Sequence, residues 1–138
     1  IQSLKNLQLA KLVATNKACF GIQLAHAGRK ASTQRPWEGR SALTKEENPW
    51  KTICPSLIPF HETWNVPQEM KLSDIEMVKK QFIFASIKAI EIGFDSIEIH
   101  ATHGYLFHQF LSPISNKRGD KYGGNLENRM RFPLEIFL

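Results

Sequence analysis

The stretch FDSIEIHATHGYLFHQFLSPISN, residues 94–116, constrains the fold more than any other part of the chain. Its first half alternates, with Ile97 and Ile99 on one face of a strand and Glu98 and His100 on the other. Helical patterning stands on both sides, one long segment ending at Gly93 and another starting near Asn125. Helix, strand, helix is the rhythm of a parallel α/β sheet, whose strands are covered on both faces. Glu98 and His100 then point into a second interior, and buried polar groups need a partner or a task.

Upstream, Leu4, Leu7, Ala10, Leu12 and Val13 are spaced for one face of a first helix ending near Asn16. Residues 20–25 read as a strand, with Phe20, Ile22 and Leu24 opposed to Gly21, Gln23 and Ala25. Small residues around a single amide suit the crowded inside of a barrel. Residues 26–71 change character, with Pro36-Trp37, Pro49-Trp50, Pro55, Pro59 and Pro67. So long a connection is functional or disordered as a rule, and Trp37, Trp50, Trp64 and Phe60 favour order. An ordered excursion with little regular structure is expected.

The next helix is punctuated by Ser73 as cap, Glu76 completing a capping box, and Leu72 with Met77 as a hydrophobic staple. Its stripe is Ile75, Val78, Phe82, Ala85 and Ala89, and Gly93 ends it. Residues 117–124 form a turn-rich loop. Asn125 caps a last helix running toward Leu138, in which Pro133 predicts a bend or an early stop. Two strands are too few to close a sheet. The expected fold is therefore α/β, a partial (β/α)8 TIM barrel amounting to roughly a third to two-fifths of the usual enzyme, within a single domain.

A chain of 138 residues with 42% hydrophobic and 22% charged residues has room for a core. It contains no run long and apolar enough to span a membrane, and IQSLKNLQLAKLV does not have the pattern of a signal peptide. The absence of an initial Met suggests a piece of something longer. Cys19 and Cys54 show no CxxC spacing and read as reduced structural thiols of a cytoplasmic protein. The net charge of +5 is scattered, with no cluster beyond Lys117-Arg118 and Arg29-Lys30, so neither nucleic acid nor a membrane is expected as a partner.

His100 and His103, with Glu98 or His108, include metal-ligand types. On a strand, however, positions 100 and 103 face opposite ways, and only a turn after His100 brings them together. HxxH without a further spaced set predicts no metal. His26 and His108 read as structural core histidines that hydrogen-bond backbone carbonyls. His100, His103 and Tyr105 stand at a strand's carboxyl end, where barrel enzymes keep their chemistry. Two imidazole N–H groups converging on one oxygen stabilise charge developing on a carbonyl, and a nearby tyrosine supplies a proton. Together they describe addition to a polarised enone, with hydride from a cofactor.

The run IEIHATHGYLFHQFLSPISNKRGDKYGGNLENRMRF resembles the signature region of the old yellow enzyme family of FMN-dependent ene-reductases. GIQLAHAGRKA resembles the same family's third barrel strand and the start of its loop. The resemblance implies that Gln23 hydrogen-bonds the flavin's pyrimidine edge. It implies that His100 and His103 clamp the carbonyl oxygen of an enone, or a phenolic ligand. Tyr105 would protonate the α-carbon while the reduced flavin, recharged by NAD(P)H, gives hydride to the β-carbon. The family's flavin also uses an arginine on the strand after this chain's last helix and phosphate-binding loops after the seventh and eighth strands. This chain alone is therefore expected to hold FMN poorly or not at all. The alternative is a truncated, non-catalytic barrel fragment that forms homo-oligomers through unpaired sheet edges.

Overall fold

The computed structural model describes residues 12–13, 15–16, 18–39 and 41–137. The predicted first helix lies mostly outside them, although Leu12, Val13 and Thr15 are helical. In chain order follow β1 (Gly21–Leu24), 3-10 turns at Gly28–Lys30 and Lys45–Glu47, β2 (Ile53–Cys54) and β3 (Gln68–Glu69). After them come α1 (Leu72–Glu91), β4 (Ser96–Ile99), α2 (Leu106–Leu111) and α3 (Leu126–Phe137). No described helix is long and apolar enough to cross a membrane.

β1 and β4 are parallel and joined through α1, as the helix-strand rhythm predicts. Ile22 lies opposite Ile97, Gln23 opposite Glu98 and Leu24 opposite Ile99. The period of two sorts their faces. Leu24 and Ile99 pack against the core, whereas Gln23 and Glu98 lie on the other face, exposed. There Gln23 Nε2 donates to Glu98 Oε1 at 2.6 Å, which gives the carboxylate a partner, although the face expected to be a second interior is open in the described residues. Each of the two strands pairs only with the other, and the described chain forms no closed barrel.

α1 starts one frame earlier than predicted. Ser73 lies inside the helix, and the Asp74 carboxylate accepts the Lys71 N–H at 2.8 Å in place of the Ser73-Glu76 box. Lys71 has no side-chain acceptor, so this cap is one-sided. Leu72 and Met77 are half exposed, which leaves no buried staple. Four of the five residues of the expected stripe, Ile75, Val78, Phe82 and Ala89, are buried, and Ala85 is partly buried. The end is a Schellman motif: Gly93 N–H donates to the Ile90 carbonyl at 3.0 Å and Phe94 N–H to that of Ala89 at 3.1 Å. It requires φ of +97° at Gly93. A Cβ there meets nothing within 4 Å, so Gly93→Ala isolates the backbone cost. The expected loss is about 1–2 kcal/mol in chemical denaturation; an unchanged midpoint would contradict it.

Asn125 caps α3 as predicted, its Oδ1 accepting from Asn128 N–H at 2.9 Å. The early stop at Pro133 does not occur, since the helix runs on to Phe137. Proline there loses only its own donor, and Phe132 and Pro133 are both buried against the core. Burial holds the helix where the ladder lacks a bond. Tyr122 Oη and Lys79 Nζ both donate to Glu135 Oε2 at 2.9 Å, tying α3 to α1. Burial and the Glu135 bond push the Tyr122 hydroxyl up to about 12.

α2 is absent from the sequence reading. It is six residues long and buries Leu106, Phe107, Gln109 and Phe110, with His108 alone exposed, so it is too short and too fully covered for a helical period to reveal. Phe107 and Phe110 pack on Phe132 with tilted rings at 5.2 and 4.5 Å between centroids, and Phe82 lies 4.9 Å from Phe107. These rings hold the middle of the core.

The excursion between β1 and α1 is ordered, with one feature beyond expectation: β2 and β3 form a two-residue parallel ladder. Buried Arg118 locks it from the turn-rich loop, donating through Nη1 to the Pro55 and Met70 carbonyls at 3.1 and 2.6 Å. Its other nitrogens bind Asp120 and hold that carboxyl below its ordinary range. Cys54 is buried and its thiol is pushed up to about 11 by burial, as befits a structural thiol, whereas Cys19 is exposed. The structural reading therefore holds for Cys54 only.

Candidate active site

The loops that follow β1 and β4 meet at the carboxyl ends of the two strands. His100 sits just past β4, its N–H bonded to the Leu24 carbonyl at 2.9 Å, so it keeps the strand's direction. Thr102 to Tyr105 then turn sharply, with Tyr105 N–H donating to the Thr102 carbonyl at 3.1 Å. Both central residues have positive φ, +54° at His103 and +70° at Gly104. That is the mirror-image turn, for which glycine is suited and histidine is not. His103 carries a strain of about 1 kcal/mol, and the turn re-aims its ring.

The result is the convergence that a bare strand forbids. His103 Nδ1 stands 3.3 Å from His100 Nε2, with ring centroids 5.1 Å apart. Tyr105 meets His100 edge-on, 4.9 Å between centroids. Two nitrogens at that separation can both reach a single oxygen at hydrogen-bond distance, each donating when its tautomer places the proton there. Gln23, the fourth predicted residue, lies lower on the same pair of strands, beside a hollow of about 610 Å³ that Gly21, Ser96 and Glu98 also line.

His26 and His108 do bond to backbone, but as acceptors of N–H groups and not as donors to carbonyls, and His108 is exposed where a core position was expected. His26 Nδ1 accepts Gly28 N–H at 3.0 Å, and His108 Nδ1 accepts Gly104 N–H at 2.8 Å. Each imidazole props the turn of its own loop. Burial lowers the His26 pKa, which keeps its ring a neutral acceptor.

Two residues were not singled out from the sequence. Gln109, fully buried in α2, donates to the Gly104 carbonyl at 2.7 Å and the Ala27 carbonyl at 3.1 Å, and its Oε1 accepts Arg29 N–H at 3.3 Å. One amide thus spans both loops. Gly28 is required beside it: φ is +60°, and a Cβ would lie 2.5 Å from the Gln109 amide. The sequence signal was slight: Gln109 stands beside His108 between Phe107 and Phe110, and nothing local marks which of the two polar residues turns inward. Lys30 is the second, its Nζ donating to the His103 carbonyl at 2.9 Å.

Parallel strands joined through a helix, with polarising donors and a phenol at their carboxyl ends, define an α/β protein with an enzyme-like site. A family model described as NADH:flavin oxidoreductase / NADH oxidase matches residues 1–137, and the chain belongs to that family. It is 52% identical over 121 residues to an NADH:flavin oxidoreductase of Gibberella zeae, covering 85% of this chain and 29% of the relative. It is 46% identical over 129 residues to an NADPH dehydrogenase of Geobacillus thermodenitrificans, covering 94% and 34%. Among solved structures, morphinone reductase superposes with a TM-score of 0.79 at 26% identity, over 97% of this chain and 37% of that one. Histamine dehydrogenase from Rhizobium sp. 4-9 gives 0.67 at 32% identity, over 86% and 17%. The chain therefore spans about a third of the length of the curated relatives it matches. Membership in the family, as the resemblance in the sequence indicated, implies FMN and NAD(P)H as its cofactors.

Proposed function

We propose that the chain forms the third and fourth strand-helix units of a TIM-barrel oxidoreductase. With FMN and NAD(P)H, that enzyme reduces the C=C bond of α,β-unsaturated carbonyl compounds. The observation that carries the reading is the approach of His100 Nε2 and His103 Nδ1 to 3.3 Å, with Tyr105 against His100. A pair of donors so placed stabilises the negative charge that an enone oxygen gains as its double bond is attacked.

The residues present fit a flavin in part. Gln23 spends its amide N–H on Glu98, which leaves its carbonyl on the open strand face to accept an imide N–H. A flavin held there would be the source of hydride for the substrate's β-carbon. His100 and His103 bind and orient the carbonyl oxygen. Tyr105 delivers the proton to the α-carbon, which completes the addition of two hydrogens across the bond.

The test is to express the reading frame that carries this chain and ask whether the product binds flavin and oxidises NAD(P)H with cyclohexenone. Purification without flavin absorbance, or with flavin and no enone turnover, would sink the proposal. One observation favours self-association for the chain taken by itself. Among the described residues the outer edges of β1 and β4 are unpaired, and α1 exposes Ile83, Phe84, Ile87 and Ile90. Discrete flavin-free oligomers in size-exclusion chromatography would support that reading.

A further inference from the structure

Lys30 ends the first loop, and its ammonium crosses to the second, where it uses one of its three donors on the His103 carbonyl. The Nζ atom lies 4.7 Å from the Phe60 ring centroid and 5.6 Å from that of Tyr105. Among the described residues no carboxylate comes within ion-pair distance of it. An unpaired cation between aromatic faces is placed to take an anion from solution.

The surroundings form a built cleft of about 350 Å³, walled by Phe60, Trp64, Tyr105 and Pro36, with Lys30 as the only charged residue in its lining. Phe60 is held in place from behind. Arg29 Nη1 donates to the Ile58 and Pro59 carbonyls at 3.0 and 3.1 Å, and Phe60 packs on Trp64 at 5.0 Å between centroids. Gln34, on the same wall, has its amide engaged by Glu47 and Ser41 and offers little to a ligand. Flat apolar walls accept a ring, and a single ammonium balances a single negative charge. A phosphate dianion would leave one charge unmatched.

We propose that this cleft makes the enzyme selective for cyclic enones bearing a carboxylate, with Lys30 binding the anion while His100 and His103 hold the ketone. The inference rests on the enone-reductase reading and names its substrate class. Uncharged analogues lack the ion pair and keep only the aromatic contacts.

The experiment compares a carboxylate-bearing cyclohexenone with its methyl ester on the flavin-loaded protein. It is paired with calorimetric titration of a hydroxybenzoate and its methyl ester at low and high salt. The expected ratio of kcat/KM, acid over ester, is about tenfold in the wild type. It should collapse toward unity in Lys30→Met and persist in Lys30→Arg. The ratio cancels any common loss caused by a shifted His103. If Lys30→Met fails to fold, the wild-type salt dependence decides: salt must weaken the hydroxybenzoate and spare its ester. Equal turnover of acid and ester with salt-insensitive binding overturns this inference alone, whereas failure to reduce either compound overturns the parent reading.

Discussion

Replacing Tyr105 by phenylalanine is expected to slow enone reduction by about 10²–10⁴-fold while the reduction of flavin by NAD(P)H keeps its rate. The asymmetry follows from what the side chain does. In the proposed mechanism its hydroxyl matters only when a carbon must be protonated, and hydride passing from nicotinamide to flavin needs no such proton. The ring edge against His100, 4.9 Å between centroids, remains in the variant, so the clamp should keep its shape. Stopped-flow measurement of the two half-reactions separately reads the outcome. Equal damage to both would mean that Tyr105 shapes the site and does not serve as the acid.

His100→Ala should act on the other end of the substrate. Removing one of two donors aimed at a developing oxyanion costs about 10²–10³ in kcat, and binding of a phenolic ligand should be lost with it. The ligand binding is the cleaner readout, because it needs no turnover and shows as a change in the flavin spectrum. His103 would remain, held by its turn and by the Lys30 bond to its carbonyl. It would then be a single donor without the partner now 3.3 Å away. Full phenol affinity in His100→Ala would remove the clamp from the mechanism.

The parts of this fold that were legible in the sequence are those set by a local period or by one irreplaceable residue. Alternation gave both faces of β1 and β4, because parallel strands between helices sort small and polar residues from apolar ones. Gly93 marked the end of α1, since few other residues accept its φ. The start of α1 was misplaced for a physical reason: Ser73 with Glu76 has the residue types of a capping box, whereas the cap that forms uses the same three-residue spacing at Lys71 and Asp74, where lysine gives no such signal. The His103 turn was a stated condition of the site, and only the structure shows that His103 and Gly104 meet it.

What was not legible joins residues far apart in the chain. The Gln109 bond to Ala27 spans 82 positions, and the Lys30 bond to His103 spans 73. No window of sequence contains both partners. Both help fix one loop against the other, so the candidate residues could be picked out in the sequence while the struts that aim them could not.

The register of β1 with β4 also governs how the molecule assembles in time. Gln23 and Glu98 are 75 positions apart, and no rung of that ladder forms before the whole intervening chain exists. Closing so long a loop costs about 4 kcal/mol of chain entropy if the loop is slack. The contacts of Arg29 with residues 58 and 59 shorten the effective loop before the strands meet. Pairing should therefore be a late and slow event, with α1 formed first. A ribosome-bound chain ending before residue 96 would hold β1 as an unsatisfied edge, the state in which a chaperone would engage it.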